Sequence, residues 1–357
     1  MDSLTQAVLG ASIGGTMLGR WHGRKALVLG AVLGTLPDMD VVLDFGDAVA
    51  DMTYHRGFSH SLFVLTGLSL LLAWLGRRFW PHPDYSATRL WLCIWLILLT
   101  HVLLDALTSY GTQLFWPLTS APVAISSIFI IDPLYTLPLL LAVIVGLFAG
   151  MGAAGLRWQR AALVISSLYL LSTLAGKHMA DYRLDRALAL AGVETELRFS
   201  SPTPFNTLLW RVVAVDGDDY YEGLTSWLDP RPPELVRLPR SYSQAAPALE
   251  GSQQHLRLRW FTRDMLRYDL IEGQWVVTDL RLGMPGYHPF RFALARVAED
   301  GTDSTLIDDT ELWPSPQADL GRLADLFNRA IDSDSSFSLV ALAATLDDAP
   351  GRIATDH

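Results

Sequence analysis

The chain has 357 residues, 50% of them hydrophobic and 18% charged, with a mean hydropathy of +0.26. It is too apolar and too poor in charge for an average soluble protein, so a membrane class comes first. A formal net charge of -10 with no cluster of Lys and Arg argues against a nucleic-acid partner, and the single cysteine, Cys93, excludes an intramolecular disulfide.

The apolar character is concentrated before residue 180. Uncharged stretches run Leu4 to Gly19, Ala26 to Pro37, Ser61 to Gly76, Leu90 to Leu104, Pro133 to Leu156 and Ala161 to Gly176. A crossing needs ~20 mostly apolar residues. On that count the first 187 residues predict an α-helical integral membrane domain of about six spans, in which the short Ala26 run is either a full span or a broken helix lining a cavity. The first segment lacks a basic leader and contains Gln6 and glycines, so it is expected to stay in the mature protein.

Basic residues set the expected orientation. Arg20, Arg24 and Lys25 follow the first stretch, Arg77, Arg78 and Arg89 separate the third from the fourth, and Arg157 and Arg160 separate the fifth from the sixth. Those loops read as cytoplasmic, which puts both termini on the outer face, the periplasm of a bacterial inner membrane.

Beyond Thr195 the pattern becomes strand-like. Leu208 to Val215, Tyr220 to Trp227, Leu256 to Phe261, Met265 to Ile271, Trp275 to Leu282 and Phe290 to Val297 are short apolar runs, separated by turns such as Asp216-Gly217-Asp218 and Glu272-Gly273. A small β-rich, α+β soluble domain is expected over 188–340, periplasmic, with a helix near Leu320 to Ile331 and a flexible tail over 341–357.

Ionisable groups in the apolar half carry the chemistry. Asp38 and Asp40 follow Pro37 and can either share a cation or cap a helix. His55 and His60 bracket Arg56-Gly57-Phe58-Ser59 at the start of a helical stretch, and neutral imidazole is the commonest side-chain metal ligand. His101 and Asp105 stand four apart in a helical segment, so both project from one face, as chelators or as a packing pair. Polar groups at membrane depth are costly and usually functional. Under the expected orientation all of these residues, with Asp132, arrive at one membrane face, and Gln6 and Asp2 are placed to assist. Ligation by His and Asp without thiolate suits Zn first, with Mn or Fe as alternatives. Arg56, whose guanidinium can stabilise developing anionic charge, is the candidate catalytic residue.

Four ordered motifs carry a family resemblance: Met1-Asp2-Ser3-Leu4-Thr5, Leu36-Pro37-Asp38-Met39-Asp40, His55-Arg56-Gly57-Phe58-Ser59-His60-Ser61, and His101-Val102-Leu103-Leu104-Asp105 with Thr108-Ser109-Tyr110-Gly111-Thr112. They resemble the bacterial inner-membrane metal-dependent hydrolases, the LexA-binding, membrane-associated group, over roughly residues 1 to 135. The part after 195 resembles the carboxy-terminal extension of one subgroup. The resemblance implies that Asp38, Asp40, His55, His60, His101 and Asp105 are metal ligands. Many members carry His where this chain has Gln6, so one ligand of that pattern is absent here.

The expected function is a membrane-embedded, metal-dependent hydrolase acting on a phosphoester or lipid-linked substrate. A non-catalytic metal-binding protein or transporter is the first alternative, and a scaffold is the second. Membrane lipid and a periplasmic protein bound through the β domain are the partner classes considered.

Overall fold

The structure is a computed structural model that describes residues 1–298, 303–315, 321–332 and 339. The chain divides into two compact units. The first comprises Met1–Leu43, Tyr54–Ala175 and Pro204–Asn206, and the second Asp44–Thr53, Gly176–Thr203 and Thr207–His357. The tail expected over 341–357 lies outside the described residues.

The first unit opens with α1 (Ser3–His22), capped by the Asp2 carboxylate on the Thr5 N–H and stopped at Gly23, whose φ of 56° a side chain would resist. α2 (Arg24–Thr35) packs back on α1 through glycines. A Cβ on Gly10 would lie 2.2 Å from the Gly30 carbonyl oxygen, and one on Gly34 would lie 2.5 Å from that of Gln6. Only small residues allow backbones to approach so closely. A 3₁₀ helix over Pro37–Val42 follows α2. α3 (Ala48–Tyr54) is counted, but for Tyr54, with the second unit, and a short 3₁₀ turn over Phe58–His60 leads into α4 (Leu62–Phe79). α5 (Ala87–Ala106), α6 (Pro133–Ala149) and α7 (Ala153–Ala191) complete the helices of this half, and the division between units falls inside α7.

The six expected segments fall mainly in helices, the fifth, Pro133 to Leu156, being broken at 150–152 between α6 and α7, but the expectation of about six spans is corrected. Two helices, α4 and α5, combine the length and apolarity of a crossing, and α6 is apolar but shorter, at 17 residues. The reason is that uncharged is not the same as apolar. α1 buries Gln6 and Ser12 among its glycines, α2 has 12 residues and so rises only ~18 Å against a hydrocarbon core of ~30 Å, and α7 has only 16 uncharged residues, Ala161 to Gly176, several of them Ser, Thr or Gly, between charged flanks.

The second unit is built on two antiparallel sheets. β1 (Leu197–Pro202), β2 (Leu209–Asp216), β3 (Asp219–Ser226) and β4 (Val236–Pro239) pair in sequence order, as do β5 (Leu266–Ile271), β6 (Gln274–Asp279), β7 (Arg291–Val297) and β8 (Ser304–Leu306). The turns expected at Gly217 and Glu272-Gly273 join β2 to β3 and β5 to β6. Glu272 and Gly273 both have positive φ, 50° and 71°, which the twist of a two-residue hairpin requires. In the chain between β4 and β5 come α8 (Tyr242–Ala245) and α9 (Gln253–Thr262), and α10 (Gly321–Ile331) falls where a terminal helix was expected. One expected strand is corrected: Leu256 to Phe261 lies in α9. Ser252 caps that helix by accepting from the His255 N–H, and Leu258 and Phe261, three apart, turn inward together. The end of α7 joins this unit by packing Ala180, Leu184 and Leu188 on Trp210, Val212 and Ala214 of β2.

Candidate metal centre

Three elements of the first unit deliver the site. The 3₁₀ helix after α2 presents Asp38, the turn before α4 presents His60, and one face of α5 presents His101 and Asp105. His60, His101 and Asp105 are fully buried, and only the Asp38 side chain, 18% exposed, reaches solvent. One ligand atom from each converges. His60 Nε2 lies 3.1 Å from Asp105 Oδ2, 3.3 Å from His101 Nε2 and 3.4 Å from Asp38 Oδ1. His101 Nε2 lies 3.3 Å from Asp105 Oδ2 and 3.4 Å from Asp38 Oδ1, and all four atoms lie within 4.8 Å of one another.

The imidazole protons are placed by neighbours. His101 Nδ1–H donates to the Gly34 carbonyl at 2.6 Å, which leaves the Nε2 lone pair facing the cluster. The Ser59 hydroxyl donates to Asp40 and so accepts from His60 Nδ1–H at 2.9 Å, with the same result. Two lone pairs and two carboxylate oxygens at such distances repel unless a cation sits among them. Asp38 Oδ1, buried and with no hydrogen-bond partner among the described residues, fits that reading. The arrangement can therefore hold a divalent ion.

Asp40 and His55 are not brought into this set. His55 Nδ1 lies 2.9 Å from Asp40 Oδ1, while Asp40 Oδ2 accepts from the Arg56 backbone N–H at 3.0 Å and from Ser59. Asp40 is thus occupied in holding the loop that carries His60. Burial raises the pKa of Asp40, but hydrogen bonds from His55 and Ser59 outweigh it and the net shift is downward. The loop itself is strained: Arg56 has φ of 61°, and a Cβ on Gly57 would sit 2.7 Å from the Tyr54 carbonyl oxygen.

Arg56 is buried and turned toward Asp105. Its Nη2 lies 3.3 Å from Asp105 Oδ1 and its Nη1 donates to Thr108 Oγ1 at 3.4 Å, with the guanidinium 5.0 Å from the Tyr110 ring centroid. Gln6 Nε2 and the Met1 amino group also bond Asp105 Oδ1, which turns Oδ2 toward the cluster. Asp2 serves as the α1 cap and Asp132 as the α6 cap, and neither joins the site. Sequence reasoning missed Ser59 and the Gly34 carbonyl. Ser59 stood inside the motif already singled out, whereas a backbone oxygen from another helix leaves no sequence signal.

The family model of the YdjM inner membrane protein matches residues 1–180, half of the chain and all four clustered side chains. This chain belongs to the YdjM inner membrane protein family. That agrees with the resemblance drawn from the four motifs. The uncharacterized protein YfhP of Bacillus subtilis (strain 168) is 27% identical over 231 residues, 62% of this chain and 68% of that protein. The inner membrane protein YbcI of Escherichia coli (strain K12) is 38% identical over 93 residues, 26% of this chain and 52% of that protein. No solved structure matches. The two sheets lie beyond the region shared with the YdjM family model.

Proposed function

We propose that this chain is a membrane-embedded, metal-dependent hydrolase acting on a phosphoester or lipid-linked substrate at the periplasmic face of the inner membrane. The observation that carries this reading is the convergence of four thiolate-free ligand atoms from Asp38, His60, His101 and Asp105. A divalent ion there would supply Lewis acidity and a nucleophile drawn from water at neutral pH. Asp38, the one ligand that meets solvent, marks where substrate arrives. Met39, Val41 and Val42 beside it are 56%, 71% and 72% exposed, an apolar margin suited to a lipid whose head group alone enters. Arg56 Nε has no hydrogen-bond partner among the described residues and is available to an anionic oxygen.

Zinc is the favoured ion, because two imidazole nitrogens and two carboxylate oxygens without thiolate form a donor set that suits it. Mn or Fe would also suit this nitrogen and oxygen donor set. A second reading, a non-catalytic ion that fastens the helices, is favoured by the complete burial of three of the four ligands.

Metal analysis, X-ray absorption at the metal edge and a phosphoester hydrolysis assay on purified protein separate the two. The hydrolase reading expects about one ion per chain with water among its ligands, and His101→Ala and Asp105→Ala losing metal and hydrolysis together. Four protein ligands alone, with no hydrolysis of lipid or soluble phosphoesters, support the fastening role. Full metal in both alanine variants, correctly folded, removes the metal centre altogether.

A further inference from the structure

The two sheets of the second unit meet across an interior that is apolar in one part and charged in another. Phe199, Val213, Val215, Tyr220, Met265 and Leu280 form the apolar part. In the charged part, β5, β6 and β7 present Arg267, Thr278 and Arg291 as one cross-strand row, since Arg267 is paired with Thr278 and Thr278 with Arg291. Residues opposite one another in register share a face. Arg267 Nε bonds Asp269 at 2.8 Å and its Nη1 reaches the Tyr220 hydroxyl of β3 at 3.4 Å. From β2, Arg211 grips Glu222 with two bonds of 2.6 and 2.9 Å and donates to the Leu280 carbonyl at 2.6 Å. His288, 2% exposed, donates Nδ1–H to the Leu282 carbonyl at 2.9 Å, two residues along from the Arg211 contact. Arg291 Nη1 bonds the Pro314 carbonyl at 3.1 Å and the next residue, Ser315, donates to the His288 carbonyl, so Arg291 and His288 are tied to one short segment.

Three buried atoms in this group have no hydrogen-bond partner among the described residues: Thr278 Oγ1, His288 Nε2 and Arg291 Nε. The charges are also unequal, with three guanidiniums (Arg211, Arg267, Arg291) against two carboxylates (Glu222, Asp269) among the described residues of the cluster. Burial first, then the Arg267 guanidinium, lowers the Arg291 pKa, and burial with Arg211, Arg267 and Arg291 holds His288 neutral. Buried orphan donors and uncompensated charge are expensive, and native interiors rarely leave either unanswered.

We propose that this cluster is a binding site for a small oxyanion of single negative charge that also carries a hydrogen-bond donor, the chemistry of dihydrogen phosphate or of a hydroxycarboxylate. The anionic oxygens take the Thr278 hydroxyl and the Arg291 Nε–H and neutralise the excess guanidinium charge. The ligand's own O–H meets His288 Nε2, which is a lone pair because the proton sits on Nδ1. Arg291, partly exposed where Arg267, Thr278 and His288 are buried, marks the entrance. The site is independent of the metal centre and of the hydrolase reading.

Calorimetric titration of the full chain in detergent, treated with chelator so that no metal contributes, tests the site. The probes are inorganic phosphate below neutral pH, glycolate as the carboxylate source, and chloride as a control for charge alone. Phosphate or glycolate is expected to bind, chloride not, and the tighter of the two names the source. Thr278→Val keeps the side-chain shape and Arg291→Met keeps most of its length, and each is expected to weaken binding about tenfold or more. Binding that neither variant changes, binding of chloride as tight as that of phosphate, or no binding of either oxyanion in the millimolar range overturns the proposal and leaves the three atoms to ordered water.

Discussion

Asp38 and Asp40 are separated by one residue, yet Asp38 contributes an oxygen to the ligand cluster while Asp40 accepts from His55, Ser59 and the Arg56 backbone. Outer contacts of this kind typically change metal affinity by ~10-fold to 100-fold when removed. Ser59→Ala, which frees His60 Nδ1, is therefore expected to weaken metal binding in that range without unfolding the chain. Competition with a chromogenic chelator measures it, and an unchanged affinity would mean that the His60 tautomer is held in some other way. His255 of α9 makes a different residue-scale prediction. Burial first, and Arg259 next, lower its pKa to about 4 from an ordinary value of about 6.5. The neutral ring therefore contributes stability that is complete above pH 6.5 and is lost as pH falls toward 4, where the unfolded chain binds the proton and the folded chain resists it. Melting curves across that window should fall more steeply for the wild type than for His255→Gln, and parallel curves would contradict the assignment.

At the scale of elements, the glycine contact between α1 and α2 matters because Gly34 also supplies the carbonyl that orients His101. Gly10→Val would drive a side chain against the Gly30 backbone, where the ideal Cβ already stands at 2.2 Å. Overpacking of this kind costs typically ~1 to 3 kcal/mol, and the displaced carbonyl should lower metal occupancy as well. Gly67→Ala on α4, where a Cβ meets open space, is the matched control and should do neither. Metal content and melting temperature in detergent read both effects; equal behaviour of the two variants would mean that the helix pair does not position the site.

For the whole molecule, the prediction is one of orientation. The basic loop at Arg77 to Arg89 joins α4 and α5, the two helices that combine the length and apolarity of a crossing, so it is expected in the cytoplasm, with the opposite ends of both helices, which carry His60 and Asp105, at the periplasmic face. Alkaline phosphatase fused after Asp185 is then expected to be active, and fused near His82 inactive. The reverse pattern would place the site in the cytoplasm and change the substrates that can reach it.

Local pattern determined much of this protein. Four motifs placed the family, the i, i+4 spacing of His101 and Asp105 put both on one helical face, and the Glu272-Gly273 dipeptide located a hairpin, because each depends on residues close in the chain. Tertiary structure decided what depends on neighbours far along it. It set Asp38 and His60 in the convergent cluster and Asp40 and His55 outside it, since which groups can share an ion depends on which atoms converge and not on residue type. It turned Leu256 to Phe261 into a helix, because Ser252 caps that run and Leu258 and Phe261 bury together. It also left two clear apolar crossings where uncharged stretches had suggested six, since glycine-rich and short helices such as α1 and α2 bury themselves on each other rather than span lipid alone.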